Sequence, residues 1–246
     1  MPDEAVQSLL GGFVASIRAV LPVRAVWLHG SLALGDFVLG RSDFDVIAVL
    51  ETPVTDPPGL IEVHRGLIKS SALAKKLHCT YVPVGELGDA SLRHPTFAQE
   101  RYFDRPVSPV SRRELTLGDV ALFGPPPSLL LPATTDEELA AFVRRDLQDF
   151  WYPATAKRTR WYTDVWVDLG LVTVARAGRT LRDGRLITKQ AAIAELPSLG
   201  APPAVVQDIQ NRRYAAVGIP PWSPWRLHRG HLARTFVRTQ ITNLLN

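Results

Sequence analysis

The chain has 246 residues, 46% hydrophobic and 21% charged, which is ordinary for a folded globular protein and long enough for one large core or two smaller ones. No apolar run reaches the roughly 18 residues of a membrane-spanning helix. The start of the chain lacks the basic segment and small-residue cleavage site of a secretory signal, and the single cysteine, Cys79, permits neither an internal disulfide nor a cysteine-based zinc site, so a cytoplasmic location is expected. The formal net charge of +4 suits an anionic ligand such as a nucleotide but falls short of a nucleic-acid-binding patch, so neither nucleic acid nor membrane is expected as a partner.

Residues 4–20 place Val6, Leu9, Leu10, Phe13, Val14, Ile17 and Val20 at helical spacing. "RAVWLHG" predicts a strand stopping at Gly30, and residues 31–37 a helix start. "FDVIAVL" is almost continuously apolar and β-branched, as a strand buried on both faces must be. Residues 58–76 have helical character, and "LHCTYVPV" predicts a third strand ended by Pro83 and Gly85. His94, Pro95, Pro106 and Pro109 interrupt residues 88–110, which read as a loop or short pieces. "GDVALFGPPP" is a short strand closed by Pro125–Pro127, and this proline run is the expected domain boundary, giving units of 1–127 and 128–246.

Beyond it the period is helical. Thr135 caps a helix with Glu137 and Glu138 in its first turn, residues 158–182 carry a long helical pattern ended by Asp183-Gly184, Thr188 caps another helix stopped by Pro197, and residues 202–216 and 224–245 complete a helical half. The predicted class is α/β: a small mixed sheet with helices, followed by an all-α bundle.

The stretch with chemistry in it is "WLHGSLALGDFVLGRSDFDVIAVL", residues 27–50. Residues i and i+2 of a strand face the same way, so Asp43 and Asp45 stand side by side at the mouth of a buried strand. Two carboxylates so placed repel each other, and a hard cation relieves the repulsion; Mg²⁺ fits because it takes one or two carboxylates and completes its shell with water and phosphate oxygens. Gly30-Ser31 supplies a close-approaching backbone and helix-start amides for a phosphate, with the Ser31 hydroxyl as a further donor. Together these parts predict a site for a nucleoside triphosphate.

"LHGSLALGDFVLGRSDFDVIAVL", with Ser42 leading into the carboxylate pair, resembles the nucleotidyltransferase signature of the polymerase-β superfamily. It is more closely similar to the bacterial aminoglycoside adenylyltransferases that modify streptomycin and spectinomycin. That resemblance implies a nucleotidyltransferase domain with a helical acceptor-binding domain behind it, ATP and Mg²⁺ as co-substrate and cofactor, and AMP transfer to a hydroxyl with release of pyrophosphate. In the C-terminal half, "VTVARAGRTLRDGRLITKQAAIAEL" and "NRRYAAVG" carry the resemblance more weakly, implying that Arg176 and Lys189 contact the triphosphate and that Tyr214 lies near the adenine. The likeness covers most of the chain, with residues 84–160 poorly matched.

Many relatives carry a third acid on the strand after the pair, but here Cys79-Thr80-Tyr81-Val82 has none. The aminoglycoside enzymes resemble one another in placing a glutamate beyond that strand, which implies Glu100 as proton acceptor, with Glu86 and Asp104 as rivals. For the acceptor, "RWYTDVWVDLG" puts Asp164 and Asp168 on one helix face with Trp161 a turn earlier, a combination suited to an amino sugar through ion pairing and cation–π contact. The same residues also read as core tryptophan and solvated aspartates, and Lys157, Arg158 and Arg160 nearby oppose a polycation. The expected function is therefore a monomeric, Mg²⁺-dependent adenylyltransferase acting on a small hydroxylated molecule, an aminoglycoside first. The alternatives are a toxin-like transferase modifying protein or RNA, and a catalytically weak nucleotide-binding homologue.

Overall fold

The computed structural model describes residues 4–215, 217–220 and 222–246. The chain divides into two compact units, Met1–Thr134 and Thr135–Asn246, a division a few residues beyond Pro127, where the sequence places it.

In the first unit, helix α1 (Glu4–Val20) leads into strand β1 (Val23–His29), one-turn α2 (Gly30–Ala33), β2 (Phe44–Leu50), α3 (Pro57–Ser70) and, after a 3₁₀ turn over Ala72–Lys76, β3 (Leu77–Pro83). The hairpin β4 (Arg93–Ala98) and β5 (Arg101–Pro106), α4 (Pro109–Gly118), β6 (Val120–Phe123) and the short α5 (Pro127–Leu130) complete it. The strands form one mixed sheet in the order β5-β4-β3-β2-β1-β6, in which only β2 and β3 are parallel, joined by the α3 crossover.

α1 and α3 cover one face: Val6, Phe13, Ile17 and Leu60 pack on Val26, Leu28, Val46, Ala48 and Tyr81. On the other face Trp27, Ile47, Val49 and Val82 pack under Leu115 of α4 and Leu131. β2 is buried from Val46 to Leu50, which explains its unbroken apolar run. At the end where β1 finishes and β2 and β3 begin, the α4 face turns polar.

In this unit one element is shorter than expected and one open reading is resolved. The helix predicted over 31–37 is a single turn, because Gly35 takes a left-handed φ of 76° just past its end. Of the two readings of residues 88–110, short pieces is the one found: β4 and β5 pair from Arg93↔Pro106 to Ala98↔Arg101 across a two-residue turn, Gln99-Glu100, with both φ values positive, 52° and 59°. That is the primed geometry that fits strand twist, built without the Asn-Gly or Asp-Gly pair that announces it. The prolines are tolerated because β5 is an edge strand and β4 pairs with β3 only at Phe97 and Thr96, beyond Pro95.

The second unit is helical: α6 (Asp136–Asp146), a π-type turn over Leu147–Trp151 running into α7 (Tyr152–Ala154), a 3₁₀ turn over Arg158–Tyr162, α8 (Asp164–Asp183), α9 (Lys189–Glu195), α10 (Pro203–Gln210) and α11 (Trp225–Leu245). Thr135 and Glu138 cap α6 reciprocally, Thr188 accepts from the Ala191 amide at the start of α9, and Gly184 ends α8 at φ 70°. The long pattern over 158–182 is split at Thr163, which is extended. The cause is Trp161: its fully buried indole donates to the Ala154 carbonyl, and a Cβ on Gly170 would lie 2.6 Å from its ring. Among the described residues no helix is long and apolar enough to cross a membrane.

Candidate active site

Antiparallel pairing sets His29, the last residue of β1, opposite Asp45, and parallel pairing sets His78 of β3 beside Asp45 on its other flank. All three sit on the α4 face of the sheet. His78 Nδ1 lies 3.6 Å from Asp45 Oδ1 and 3.9 Å from Asp43 Oδ2, so both carboxylates turn toward one imidazole. Lys76 Nζ is 3.3 Å from Asp43 Oδ1. The two acids are partly open, with side chains 43% and 28% exposed, while His78 is 10% exposed.

Gly30 follows His29 at φ 65°, and a Cβ built on it would stand 2.6 Å from Asp45 Oδ2. Only glycine satisfies both the left-handed backbone and the pressure of the carboxylate against its Cα. The Gly30-Ser31 turn and the acid pair are thus in direct contact. Ser42 accepts from the Val38 amide at 3.0 Å and closes the loop that delivers Asp43 to the sheet edge.

The surroundings of Asp45 favour its ionised form. Burial by itself raises the Asp45 carboxyl, but the His78 hydrogen bond and the electrostatic pull of His29, His78 and Arg105 overcome it and hold the group below its ordinary value. Arg105 is anchored on the same face: its Nε donates to Thr80 Oγ1 at 2.9 Å, and Thr80 also accepts from Thr96 at 3.0 Å. His29 is buried, with Nδ1 3.5 Å from Glu114 Oε2 of α4, while its Nε2 has no hydrogen-bond partner among the described residues.

The donor set suits magnesium. Asp43 and Asp45 offer hard anionic oxygens, and among the described residues no three His, Cys, Asp or Glu side chains close a cage around a metal. An open two-carboxylate edge leaves most of an octahedron to water and phosphate, the arrangement Mg²⁺ prefers.

The three predicted proton acceptors fare differently. Glu100 is the second turn residue of the β4–β5 hairpin, 53% exposed and 3.9 Å from Lys75, with no contact to either aspartate. Asp104 falls on the opposite sheet face, since Thr96 pairs with Phe103 and strand faces alternate. Glu86 is 3.4 Å from His94. The group beside both aspartates is His78, on the strand that carries no acid. Its place follows from the β2–β3 register, for which the sequence carries no local signal.

In the second unit, Arg176 of α8 donates from Nε to the Ile187 carbonyl at 2.9 Å, two residues before the exposed Lys189, so both basic groups share one corner. Tyr214 is 50% exposed, with the Arg213 guanidinium 5.8 Å from its ring centroid. Trp161 is core, with its ring enclosed, and its expected stacking role is withdrawn. Asp164 and Asp168 do share a side of α8, but arginines claim them: Asp164 Oδ1 is 2.8 Å from Arg229 and Oδ2 3.1 Å from Arg226, and Arg212 bridges Asp168 to Asp208. Burial would raise the Asp164 carboxyl, yet Arg229, Arg212 and Arg226 hold it below its ordinary value. A cationic acceptor would have to displace these arginines.

A cavity of about 850 Å³ lies on the other sheet face, lined by apolar side chains such as Leu10, Leu32, Phe37 and Leu122, and holds none of these groups.

No family model matches the chain, and no curated protein matches it by sequence. In structure it is similar to spectinomycin adenyltransferase AAD(9) from Enterococcus faecialis, solved with ATP and spectinomycin. The TM-score is 0.65 at 14% identity, over 94% of this chain and 98% of that one. The class this defines is one of fold: a mixed-sheet α/β unit followed by a helical unit.

Proposed function

We propose that the protein is a nucleotidyltransferase that moves AMP from ATP to a hydroxyl of a small molecule, releasing pyrophosphate. One observation carries the reading: two carboxylates from the head of β2 converge on His78 while Asp45 presses on Gly30, so a metal-binding edge and a phosphate-approaching turn touch. The similarity in fold to a protein solved with ATP and spectinomycin supports it.

Asp43 and Asp45 would hold magnesium, which when bound neutralises phosphate charge and sharpens the electrophilic phosphorus. The Ser31 hydroxyl and the amides of the Gly30 turn would grip phosphate oxygens, with Ser42 keeping the loop closed. Since α2 is a single turn, these are local hydrogen bonds rather than a helix-dipole effect. For the acceptor hydroxyl's proton we propose His78, in its neutral form, in place of Glu100. Arg176 and Lys189 are proposed as contacts of the triphosphate, and Tyr214 of the adenine. Because Asp164 and Asp168 are neutralised by arginines, the acceptor is a hydroxylated small molecule whose recognition does not rest on those acids. Aminoglycosides are the first class to test, given what the similar protein binds. The proposal places the reaction in the cytoplasm, where ATP is supplied, and in a monomer.

The test is incubation with labelled ATP, Mg²⁺ and a panel containing spectinomycin, other aminoglycosides and neutral polyols. Pyrophosphate together with one AMP-labelled small molecule is the expected result. Label on protein or RNA alone would replace the reading with the toxin-like one, and ATP binding without any product would reduce the chain to a nucleotide-binding homologue.

A further inference from the structure

The second unit contains a small basic pocket that the transfer site does not use. It has a volume of about 180 Å³ and is lined by Arg158, Tyr162, Leu227, Gly230, His231 and Arg234. Sequence and packing build it together. The 157–162 segment carries Lys157, Arg158 and Arg160, and α11 carries four arginines and two histidines, with no acid in either. Residues 135–246 hold sixteen Lys and Arg against ten Asp and Glu, so the molecule's positive excess resides in this unit. Gly230 lets the turn close on α11: a Cβ there would collide with the Trp161 carbonyl and lie 3.1 Å from the Tyr162 ring.

The neighbouring cations are already engaged. Arg226 and Arg229 serve Asp164 and Asp208, Arg238 donates to Thr155 Oγ1 and the Tyr152 hydroxyl, and Arg160 lies 4.6 Å over the Trp166 ring. Arg158, His231 and Arg234 differ: among the described residues none has a carboxylate partner. Arg234 is nonetheless fixed, because its Nη1 donates to the Thr155 carbonyl at 3.1 Å. Two guanidinium groups around one concavity repel each other until an anion arrives, the imidazole adds a hydrogen-bonding nitrogen, and Arg pairs with phosphate oxygens with high geometric specificity. The size sets the class of ligand. At roughly 30 Å³ per water the space equals about six waters. That accommodates a phosphate with part of its hydration and excludes a nucleoside or a drug-sized body, which needs about 300 Å³ or more.

We propose that this pocket binds a phosphate-sized dianion, either inorganic phosphate or the phosphate of a small monoester, held by Arg158, Arg234 and His231. The site shares no residue with the Asp43–Asp45 edge, so it stands or falls separately from the transferase reading.

The experiment is calorimetric titration of the full chain with inorganic phosphate, glucose 6-phosphate and glucose, at constant ionic strength set with chloride. The wild type is expected to bind both phosphates and not glucose, and Arg158→Gln with Arg234→Gln to weaken phosphate binding at least tenfold. Tighter binding of the monoester identifies the phosphate of a small organic ligand, and equal or tighter binding of inorganic phosphate identifies the free ion. If losing the Thr155 bond unfolds the double variant, the exposed Arg158→Gln alone must still weaken binding severalfold. No phosphate binding by the wild type, equal affinity in wild type and Arg158→Gln, or equal binding of glucose would each overturn the proposal.

Discussion

The residue on which the carboxylate site turns is Gly30, for it is constrained twice: by φ 65° and by Asp45 Oδ2 2.6 Å from where a Cβ would be. Gly30→Ala is expected to lose about 1–2 kcal/mol of stability from the left-handed backbone alone. Because the added methyl must push Asp45 away, transfer should fall more than tenfold, measured as initial rate of pyrophosphate release beside a denaturation curve. His78→Gln removes the group placed to take a proton and should lower turnover by about 10²–10⁴-fold while leaving ATP affinity within a few-fold. Undiminished turnover would return the role to another base. Gly30, Ser31, Asp43 and Asp45 were legible in the sequence because strand alternation and a Gly-Ser turn are local patterns. His78 was not, since its place beside Asp45 follows from β2–β3 register, a non-local fact. Trp161 misled for a related reason: spacing shows which side of a helix a tryptophan shares but not whether the surrounding unit encloses it.

Among the elements, α1, β2, β3, α6 and α9 could be read almost residue for residue, because apolar period and caps agree there with what packing requires. The β4–β5 hairpin could not, since its turn residues, Gln99 and Glu100, adopt positive φ without glycine and prolines sit in both strands. That hairpin helps enclose His64 of α3, which is 1% exposed, stacks on Phe97 at 4.0 Å and bonds the Tyr81 hydroxyl at 2.7 Å. Burial lowers the His64 pKa from 6.5 to about 3. Between those values the unfolded chain takes up a proton that the folded chain refuses, so stability falls as the pH drops below about 6.5. From pH 6.5 to 5 the loss from this one group is roughly 2 kcal/mol. His64→Phe keeps the stack on Phe97 and removes the titration. It should be less stable than wild type at neutral pH, through loss of the buried hydrogen bond to the Tyr81 hydroxyl, yet lose less on acidification. Urea midpoints at several pH values read both effects, and parallel acid losses in the two proteins would show that His64 is not the group responsible.

For the whole molecule, the two-unit plan was legible from the change of period after Pro125–Pro127, and the fold agrees with a protein only 14% identical. At that identity the agreement is one of fold. It leaves the chemistry to be argued from the carboxylate edge. The acceptor was least legible, because Asp164 and Asp168 acquire their arginine partners from far along the sequence, Arg212 just after α10 and Arg226 and Arg229 on α11. The central claim is that Asp43 and Asp45 share a divalent ion beside a turn that grips polyphosphate. Its most direct test is calorimetric titration of ATP into the wild type and into Asp43→Asn with Asp45→Asn, each with Mg²⁺ and with a chelator. The account predicts Mg²⁺-dependent binding to the wild type and at least a tenfold loss in the folded double variant. ATP affinity that is indifferent to both Mg²⁺ and the double substitution would contradict it.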